Sequence, residues 1–295
     1  MREKAEAVQR MQDYIEAHLG DPVTLQQLAR AAGYSPWHAA RLFREQVGIP
    51  PLEYLRARRL SRAALALRDS DGRVLDVALD SAFGSHEGFT RAFSERFGIT
   101  PERYRRETPP LPLFPPRSAL LLYLHNQKED EEMANENTIF VQAVDRPARR
   151  LILLRSTRAT EYFEYCEEVG CDVWGVLESI KGALGEPYGM WLPDSLRTPG
   201  TSTYAQGVEV PPDYAGAIPE HMDTIDLPAC KYLVFQGQPY PDEQMGQAIG
   251  AVWKAMENYT PELYGWRWAD ETAPRFQLAP ISERGYIEGR PVTAV

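Results

Sequence analysis

Two arginines, Arg41 and Arg91, occupy the same position in a pattern that occurs twice in the first third of the chain. Eight residues are identical at an offset of 50 positions: Ser35, Arg41, Phe43, Glu45, Gly48, Ile49, Pro51 and Tyr54 recur as Ser85, Arg91, Phe93, Glu95, Gly98, Ile99, Pro101 and Tyr104. A guanidinium group carries five N–H donors in a planar fork, which fits the acceptor pair on the major-groove edge of guanine and the oxygens of a phosphate. The duplication therefore predicts two equivalent surfaces that bind nucleic acid through arginine.

Around Arg41 the sequence predicts two short helices joined by a tight turn. The boundary signals are a capping box, a glycine for the left-handed position, an N-cap and a proline at the first helical position: Thr24 with Gln27, Gly33, Ser35 and Pro36. They predict a first helix from Leu25 to about Ala32 and a second that ends near Val47. The residues predicted to face outward on the second helix are Trp37, His38, Ala40, Arg41 and Arg44. This pair is a helix-turn-helix unit, which lays its second helix in the major groove of DNA.

The second copy of the pattern predicts the same arrangement. Residues 74–79 form the supporting helix, residues 82–84 the turn, and Ser85 the N-cap of a helix that ends before Gly98. Phe89, Phe93 and Phe97 recur every four residues and are predicted to face the core. The residues that remain outward are His86, Glu87, Thr90, Arg91 and Ser94.

A single helix over residues 52–68 is predicted between the two units. It would hold the two outward-facing helices at a fixed separation, so that both can enter successive major-groove turns on one face of DNA. Its basic residues are Arg56, Arg58, Arg59 and Arg62. The pattern leaves two interpretations open for them, a solvated helix face or contacts to phosphate.

Charge and proline content divide the chain. Residues 1–108 hold 17 Lys and Arg against 15 Asp and Glu, whereas residues 109–295 hold 15 against 27, within an overall net charge of -10. Residues 109–116 are too rich in proline for a helix, residues 120–124 form a short apolar run predicted to pack on one domain, and residues 128–132 are charged. We predict an all-α domain at 1–108, a linker at 109–137 and an α+β domain at 138–295.

The N-terminal motifs resemble the DNA-binding domain of the AraC/XylS family over residues 5–107. The resemblance is carried by the residues from Thr24 to Phe43, by Phe89-Thr90-Arg91-Ala92-Phe93, and by Phe97-Gly98-Ile99-Thr100-Pro101 with Tyr104-Arg105. It implies that one polypeptide binds an asymmetric DNA site with two recognition helices. The DNA-binding residues predicted on this basis are Ser35, Trp37, His38, Ala40, Arg41 and Arg44 in the first unit and Ser85, His86, Glu87, Thr90 and Arg91 in the second.

Two of these positions have alternative interpretations, and a third differs in residue type from many relatives. Trp37 can contact a thymine methyl group or a sugar, or it can be a packing residue. Ala40 stands where many relatives have a polar residue, and it has no side-chain group for a hydrogen bond to a base. Glu87 can accept from cytosine N4, or it can interact with the dipole of its own helix N-terminus.

The C-terminal part combines acidic residues with five of the six tryptophans. Aromatic faces near carboxylates can bind a flat apolar or cationic molecule by stacking and cation–π attraction. The residues predicted to bind such a ligand are Trp174, Glu178, Trp191, Tyr204, Trp253, Trp266, Trp268 and Glu288. The alternative is that most of these aromatic residues belong to the core.

A weaker repeat predicts a duplicated strand–helix–strand–strand unit in this part. Residues 145–150 recur as residues 226–231, each before an apolar strand, and residues 188–191 are echoed by residues 264–267. With residues 275–280 and 286–288, these motifs resemble the GyrI-like effector-binding domain over residues 137–293. The resemblance implies two βαββ halves around a cleft for small hydrophobic or cationic molecules. Gln277 stands where many relatives have glutamate, so Glu288 and Glu178 are the candidate replacements.

No motif points to catalysis, a cofactor or a metal. A glycine-rich phosphate loop, metal-ligand spacing and a nucleophile elbow are all absent from the sequence. Three cysteines, Cys166, Cys171 and Cys230, predict a reducing compartment without disulfides, and the longest apolar run is too short to span a membrane. The sequence thus predicts a cytoplasmic transcription regulator, activator or repressor, that binds double-stranded DNA, a small-molecule effector and RNA polymerase. Two alternatives stay open for the C-terminal domain, a protein-interaction module and a small-molecule hydrolase.

Overall fold

The computed structural model describes residues 2–70, 72–116, 138–170 and 172–295. The chain divides into two compact units, Met1–Glu129 and Asp130–Val295. The predicted packing of residues 120–124, the charged stretch 128–132 and Cys171 lie outside the described residues. The helical N-terminal unit and the sheet-containing C-terminal unit agree with a multi-domain chain.

Seven α-helices make up the described part of the N-terminal unit. They are α1 (Arg2–Ala17), α2 (Leu25–Ala32), α3 (Pro36–Val47), α4 (Pro51–Asp69), α5 (Val74–Asp80), α6 (His86–Phe97) and α7 (Pro101–Glu107). The predicted caps set these boundaries. The side chain of Gln27 accepts from the Thr24 N–H at 2.7 Å, and Ser35 Oγ accepts from the N–H of the third residue of α3. Gly33 and Gly48 follow their helices with φ of 76° and 88°, a region that glycine adopts without strain.

The turn of the second unit lies at residues 82–84, as predicted, but its left-handed residue is of a different type from that of the first unit. Its left-handed residue is Ala82, with φ of 54°, and not a glycine. The Phe83 N–H then donates to the Ala78 carbonyl at 3.1 Å, as the Tyr34 N–H donates to the Ala29 carbonyl at 3.0 Å in the first unit. Both supporting helices therefore end with the same hydrogen bond, but an alanine stores strain in the second turn.

Helix α4 belongs to two hydrophobic cores. Its first half contributes Tyr54 and Leu55 to a core with Phe43 of α3. Its second half contributes Leu60, Ala63, Ala64 and Leu67 to a core with Phe89 and Phe93 of α6. The prediction of one long helix between the two units is confirmed. Because both cores pack on the same helix, the two helix-turn-helix units form a continuous body.

The proline-rich segment also packs on this unit. Leu111 and Leu113 are buried in the second core, and Phe114 is buried in the first. The Phe114 N–H donates to Ser61 Oγ of α4 at 2.7 Å. The prolines of residues 109–116 exclude a helix, as predicted. The leucines and the phenylalanine between them fill core sites. The packing of the N-terminal unit thus extends beyond residue 108 to at least Phe114.

The described part of the C-terminal unit is a nine-stranded antiparallel sheet with helices. Its strands are β1 (Phe140–Arg146), β2 (Arg149–Arg155), β3 (Tyr188–Trp191), β4 (Tyr204–Val210), β5 (Asp223–Leu227), β6 (Cys230–Gln236), β7 (Trp266–Trp268), β8 (Arg275–Gln277) and β9 (Ile287–Ala294). Helices α8 (Tyr162–Val169) and α9 (Val173–Glu178) follow β2, and α10 (Met245–Glu257) follows β6. The strand order is β1-β6-β9-β8-β3-β4-β2-β5, with β7 beside β9.

This strand order is symmetric about the β8–β3 pair. Moving outward from it, one side has β9, β6 and β1, and the other has β4, β2 and β5. The strand that corresponds to β3 by position is therefore β8. The sequence echo of residues 188–191 in residues 264–267 is wrong as a guide to equivalent strands, because Pro261–Tyr264 is a 3-10 helix and β7 pairs with the far end of β9.

Candidate nucleic-acid interface and ligand cleft

An exposed row of three side chains, four residues apart, runs along α3. Trp37 is 71% exposed. The Arg41 guanidinium carbon lies 5.0 Å from the Trp37 ring centroid, and Arg41 Nε lies 3.4 Å from a carboxylate oxygen of Glu45. Solvent-exposed contacts of this kind contribute little to stability. They hold the guanidinium on the outer face of the helix, where a large apolar ring also remains uncovered.

The other predicted residues of the first unit vary in exposure. Arg44 is exposed, and Ala40 and His38 are half-buried. The His38 ring stacks on Tyr34, with centroids 4.6 Å apart. Ser35 is exposed, and its oxygen caps the helix by accepting from the His38 N–H at 3.4 Å, so its hydroxyl proton can still be donated to a phosphate.

Helix α6 presents its predicted residues in a similar way. Glu87 and Arg91 are exposed, and His86 is half-buried. Ser85 caps the helix by accepting from the N–H of Gly88 at 3.0 Å. Thr90 is half-buried, and its Oγ1 is buried without a hydrogen-bond partner among the described residues. Its hydroxyl is therefore turned inward, and a contact to a base would require another rotamer.

Two of the four clustered arginines of α4 hold the unit together. Arg58 donates to both carboxylate oxygens of Glu16 in α1, at 2.7 and 2.9 Å, and also to the Phe114 carbonyl. Arg59 Nε donates to the Leu19 carbonyl at 2.9 Å. Both guanidinium groups bind partners more than 35 positions away in the chain, so these residues have structural contacts that the sequence pattern did not indicate.

The other two arginines of the cluster remain on the surface. Arg56 and Arg62 are exposed, and Arg56 Nη2 lies 3.7 Å from a carboxylate oxygen of Glu95 in α6. Of the four clustered arginines, these two have the exposure that a phosphate contact needs.

In the C-terminal unit, side chains from four adjacent strands share one face of the sheet. The register pairs Trp191 of β3 with Tyr204 of β4 and with Arg275 of β8, and it pairs Gln277 of β8 with Glu288 of β9. Directly opposed residues lie on the same face. Helices α8 and α10 reach this face, because Tyr165 contacts Tyr204 and Trp253 contacts Glu288. We name this face of the sheet between α8 and α10, which carries Trp191, Tyr204, Arg275, Gln277 and Glu288, the central cleft.

Glu288 is a fully buried carboxylate at the base of the central cleft. Trp253 Nε1–H donates to Oε2 at 2.7 Å, and Arg275 Nε donates to Oε1. The Tyr286 hydroxyl lies 3.1 Å from Oε2. A buried charge is tolerated when it is paired and hydrogen-bonded in this manner.

A chain of hydrogen bonds links Glu288 to the aromatic side of the cleft. The Tyr286 hydroxyl lies 2.8 Å from Gln277 Oε1, and Gln277 Nε2 donates to the Tyr204 hydroxyl at 2.7 Å. Burial raises the pKa of Tyr286 well above its usual range, with a further contribution from the Glu288 carboxylate. Burial also raises the pKa of Tyr204, against the hydrogen bond from Gln277. Both phenols therefore stay protonated and act as neutral hydrogen-bonding groups.

Four of the eight predicted ligand residues are connected in this cleft, and four lie elsewhere. Trp266 and Trp268 pack with Phe235 and Met256 in a core beneath α10. Trp174 and Glu178 are half-buried on α9, whose Val173 and Leu177 pack against β2 and β4. The connected residues are Trp191, Tyr204, Trp253 and Glu288. The sequence pointed to the position of Gln277 but not to its hydrogen bonds, and it did not indicate Arg275 or Tyr286, because only the strand register brings these residues together.

A second buried ion pair lies where the two sequence repeats meet. Arg149 Nε donates to Glu209 at 2.6 Å, and the Tyr188 hydroxyl donates to the same oxygen at 2.8 Å. Arg149 Nη1 also donates to the carbonyls of Pro147 and Pro228, at 3.1 and 3.3 Å. These prolines are equivalent in the two repeats, so Arg149 joins the two repeat motifs.

The described residues contain no group of three or more His, Cys, Asp or Glu that could hold a metal ion. Cys166 and Cys230 are free thiols. Within the same ranges of the chain, no helix has both the length and the apolar character needed to cross a membrane.

Comparison with known proteins identifies the N-terminal part. A model of a helix-turn-helix domain matches residues 28–107. Transcriptional regulator Rob of Salmonella typhimurium is 45% identical over 95 residues, which are 32% of this chain and 33% of Rob. HTH-type transcriptional activator AarP of Providencia stuartii is 39% identical over 92 residues, which are 31% of this chain and 68% of AarP. A solved AraC-type transcriptional regulator from Chromobacterium violaceum has 25% identity and a TM-score of 0.34, with coverage of 35% of this chain and 91% of that one.

These matches differ in how much of each relative they include. The chain spans about a third of the length of Rob and of the right origin-binding protein of Escherichia coli, but about two thirds of AarP. The helix-turn-helix match includes α3 and α6 with both exposed arginines. By its identity to AarP, of which it covers about two thirds, the chain belongs to the AraC family of helix-turn-helix transcriptional regulators.

Proposed function

We propose that the protein binds an asymmetric double-stranded DNA site as a single polypeptide, with α3 and α6 as its two recognition helices. The main support is that Arg41 and Arg91 are both exposed at equivalent positions of two capped helices. Helix α4 joins their cores and has 19 residues, or about 28 Å at the α-helical rise. A rigid connecting helix of this kind fixes the separation of α3 and α6, as insertion into successive major grooves requires.

The exposed residues suggest which contacts each recognition helix makes with DNA. Arg41 and Arg91 would donate to base edges, with Trp37 against a thymine methyl group and Glu87 toward cytosine. The remaining proposed contacts, to bases or to the adjacent backbone, are Ser35, His38, Ala40, Arg44, Ser85, His86 and Thr90. Arg56 and Arg62 of α4 would contribute phosphate contacts, which add affinity without sequence preference.

Selection of random DNA by the purified full-length protein tests this proposal. The selected site should contain two half-sites about one helical turn apart. Arg41→Ala and Arg91→Ala should each lose about 1–3 kcal/mol on that site, with smaller losses on random DNA. Arg103→Ala is a matched control, because Arg103 forms an i,i+4 pair with Glu107 as Arg41 does with Glu45. Equal losses on selected and random DNA would overturn the proposed role in base recognition.

We further propose that the C-terminal unit is a GyrI-like domain that binds a small aromatic effector in the central cleft. The symmetric strand order supports two βαββ halves on either side of the β8–β3 pair. The Trp191 ring and the buried Glu288 lie on the same side of the sheet, with the Arg275 guanidinium between them. Effector binding would then alter DNA affinity or the contact with RNA polymerase, and so control activation of transcription in the cytoplasm.

Tryptophan fluorescence tests the effector site. A panel of aromatic compounds should include some that quench the wild-type signal in a saturable way, and Trp191→Ala should remove that response. Trp268→Ala is the control, because Trp268 lies in the core beneath α10. A ligand response that survives Trp191→Ala and disappears in Trp268→Ala would place the site elsewhere.

A further inference from the structure

The guanidinium of Arg275 fills the space between a buried carboxylate and an aromatic face. Arg275 Nε donates to Glu288 Oε1, and the guanidinium carbon lies 4.9 Å from the Trp191 ring centroid. Glu288 is fully buried, whereas the Arg275 side chain keeps 36% exposure. A carboxylate beside an aromatic face is an arrangement that binds organic cations. The central cleft thus contains a cation site that is occupied by the chain's own side chain.

The walls of this site are held by groups other than Arg275. Trp191 Nε1–H donates to the Thr160 carbonyl at 2.9 Å, which fixes the indole ring. Glu288 Oε2 accepts from Trp253 Nε1–H at 2.7 Å, which fixes the carboxylate from the side of α10. Removal of the Arg275 side chain therefore leaves the aromatic face and the carboxylate in place.

The Arg275–Glu288 pair also determines whether the central cleft favours a neutral or a cationic ligand. Together the two groups are neutral, so a cationic ligand beside them would place a positive charge in the cleft without an anionic partner. Burial of an unpaired charge is costly, and the like charge of Arg275 adds repulsion. A neutral aromatic molecule meets neither penalty and can still stack on exposed parts of the aromatic surface.

We propose that Arg275 is an internal counter-ion that makes the central cleft select neutral aromatic ligands over organic cations. The inference rests on the proposed effector-binding role of this cleft. It narrows the effector class from apolar or cationic molecules to neutral ones. It also predicts that loss of the Arg275 side chain converts the cleft into a binding site for a planar cation.

The surface of the same unit offers a matched control. The Arg290 guanidinium carbon lies 4.2 Å from the Trp268 ring centroid, and Arg290 Nη2 lies 2.6 Å from a carboxylate oxygen of Asp270. The combination of arginine, tryptophan and carboxylate is the same as in the cleft. The difference is that Asp270 is 47% exposed, so its charge is solvated with or without Arg290.

Chemical rescue by ethylguanidinium tests the counter-ion role in the full-length protein. The unfolding midpoints of the wild type, Arg275→Ala and Arg290→Ala are followed as low-millimolar ethylguanidinium chloride is added, with ethylurea as the neutral isostere. The midpoint of Arg275→Ala should rise in a saturable way with ethylguanidinium and stay unchanged with ethylurea. The wild type and Arg290→Ala should show no saturable rise. A response that is absent from Arg275→Ala, or equal in all three proteins, would overturn the proposal.

A second variant and a comparison of two ligands test the same proposal. Arg275→Gln also lacks the charge, and it replaces Arg275→Ala if the alanine variant does not fold. In the wild type, acridine at a pH where it is neutral should bind more tightly than N-methylacridinium, and a preference for the cation would overturn the proposal. Rescue of Arg275→Ala without any effector-dependent change in DNA binding would support the counter-ion and refute only the proposed effector function.

Discussion

Truncation of Phe114 should destabilise the N-terminal unit although this residue lies in a proline-rich segment. Its ring is buried and meets Tyr54 edge-on, with centroids 5.3 Å apart. Its backbone is held by the N–H···Oγ bond to Ser61 and by the Arg58 guanidinium on its carbonyl. Phe→Ala substitutions at well-packed sites cost about 3–5 kcal/mol. Because the backbone contacts survive the substitution, we expect Phe114→Ala to lower the free energy of unfolding by about 3 kcal/mol, at the lower end of that range.

Urea unfolding of the full-length protein, followed by the helical circular dichroism signal, measures this loss, because most of the α-helix lies in the N-terminal unit. Phe140→Ala is the control. Phe140 is 52% exposed on β1, and a surface substitution of this kind should change stability by less than about 0.5 kcal/mol. A loss below about 1 kcal/mol for Phe114→Ala would refute the packing of this segment on the first core.

Three other predictions concern backbone strain, a buried ion pair and pH. Ala82→Gly should stabilise the N-terminal unit by about 0.5–1 kcal/mol, because relief of the left-handed strain outweighs the added chain entropy; equal or lower stability in urea unfolding would contradict this. Arg149→Met should destabilise the C-terminal unit by about 3 kcal/mol, because it leaves the buried Glu209 carboxylate without one of its partners. A loss under about 1 kcal/mol would show that the ion pair is dispensable. Burial acts to raise the pKa of Glu168. The carboxylate also accepts hydrogen bonds from the side chain and N–H of Thr157 and from the N–H groups of Arg158 and Ala159, and these outweigh burial and lower the pKa to about 2. The stability from Glu168 should therefore be complete above pH 4.5 and disappear as the pH falls toward 2, and Glu168→Gln should lack this slope in unfolding curves across that range.

Local signals in the sequence were enough to predict the helix-turn-helix units. Thr24 with Gln27, Ser35 and Ser85 act within three residues of their own position, so the helix boundaries follow from nearby side chains. The periodic phenylalanines of α6 also face the core as predicted. The left-handed conformation of Ala82 was not predictable, because tertiary packing imposes it on a residue that does not favour it.

Contacts between distant residues account for what the sequence did not show. Arg58 resembles any other basic residue of α4 until its partner Glu16, 42 positions away, is known. The partners of Glu288 also come from separate elements, Trp253 from α10 and Arg275 from β8. Such sites depend on strand register and helix packing, which composition and periodicity do not specify.

The strand repeat shows the same limit. Residues 145–150 connect β1 to β2, and residues 226–231 connect β5 to β6. The first strand of each pair lies beside the second strand of the other pair, β1 with β6 and β5 with β2. This exchange joins the two halves into one sheet. A sequence pattern cannot distinguish it from pairing within each half, because the same residues would be buried in both arrangements.

Hydroxyl-radical footprinting of the full-length protein on its selected site, combined with the mass of the complex, tests the central claim most directly. One chain per duplex should protect the backbone beside two successive major grooves on one face. An insertion of about half a helical turn between the half-sites should abolish the paired protection, because α4 fixes the separation of α3 and α6. Two chains per duplex with one groove protected by each, or paired protection that survives the insertion, would contradict the claim.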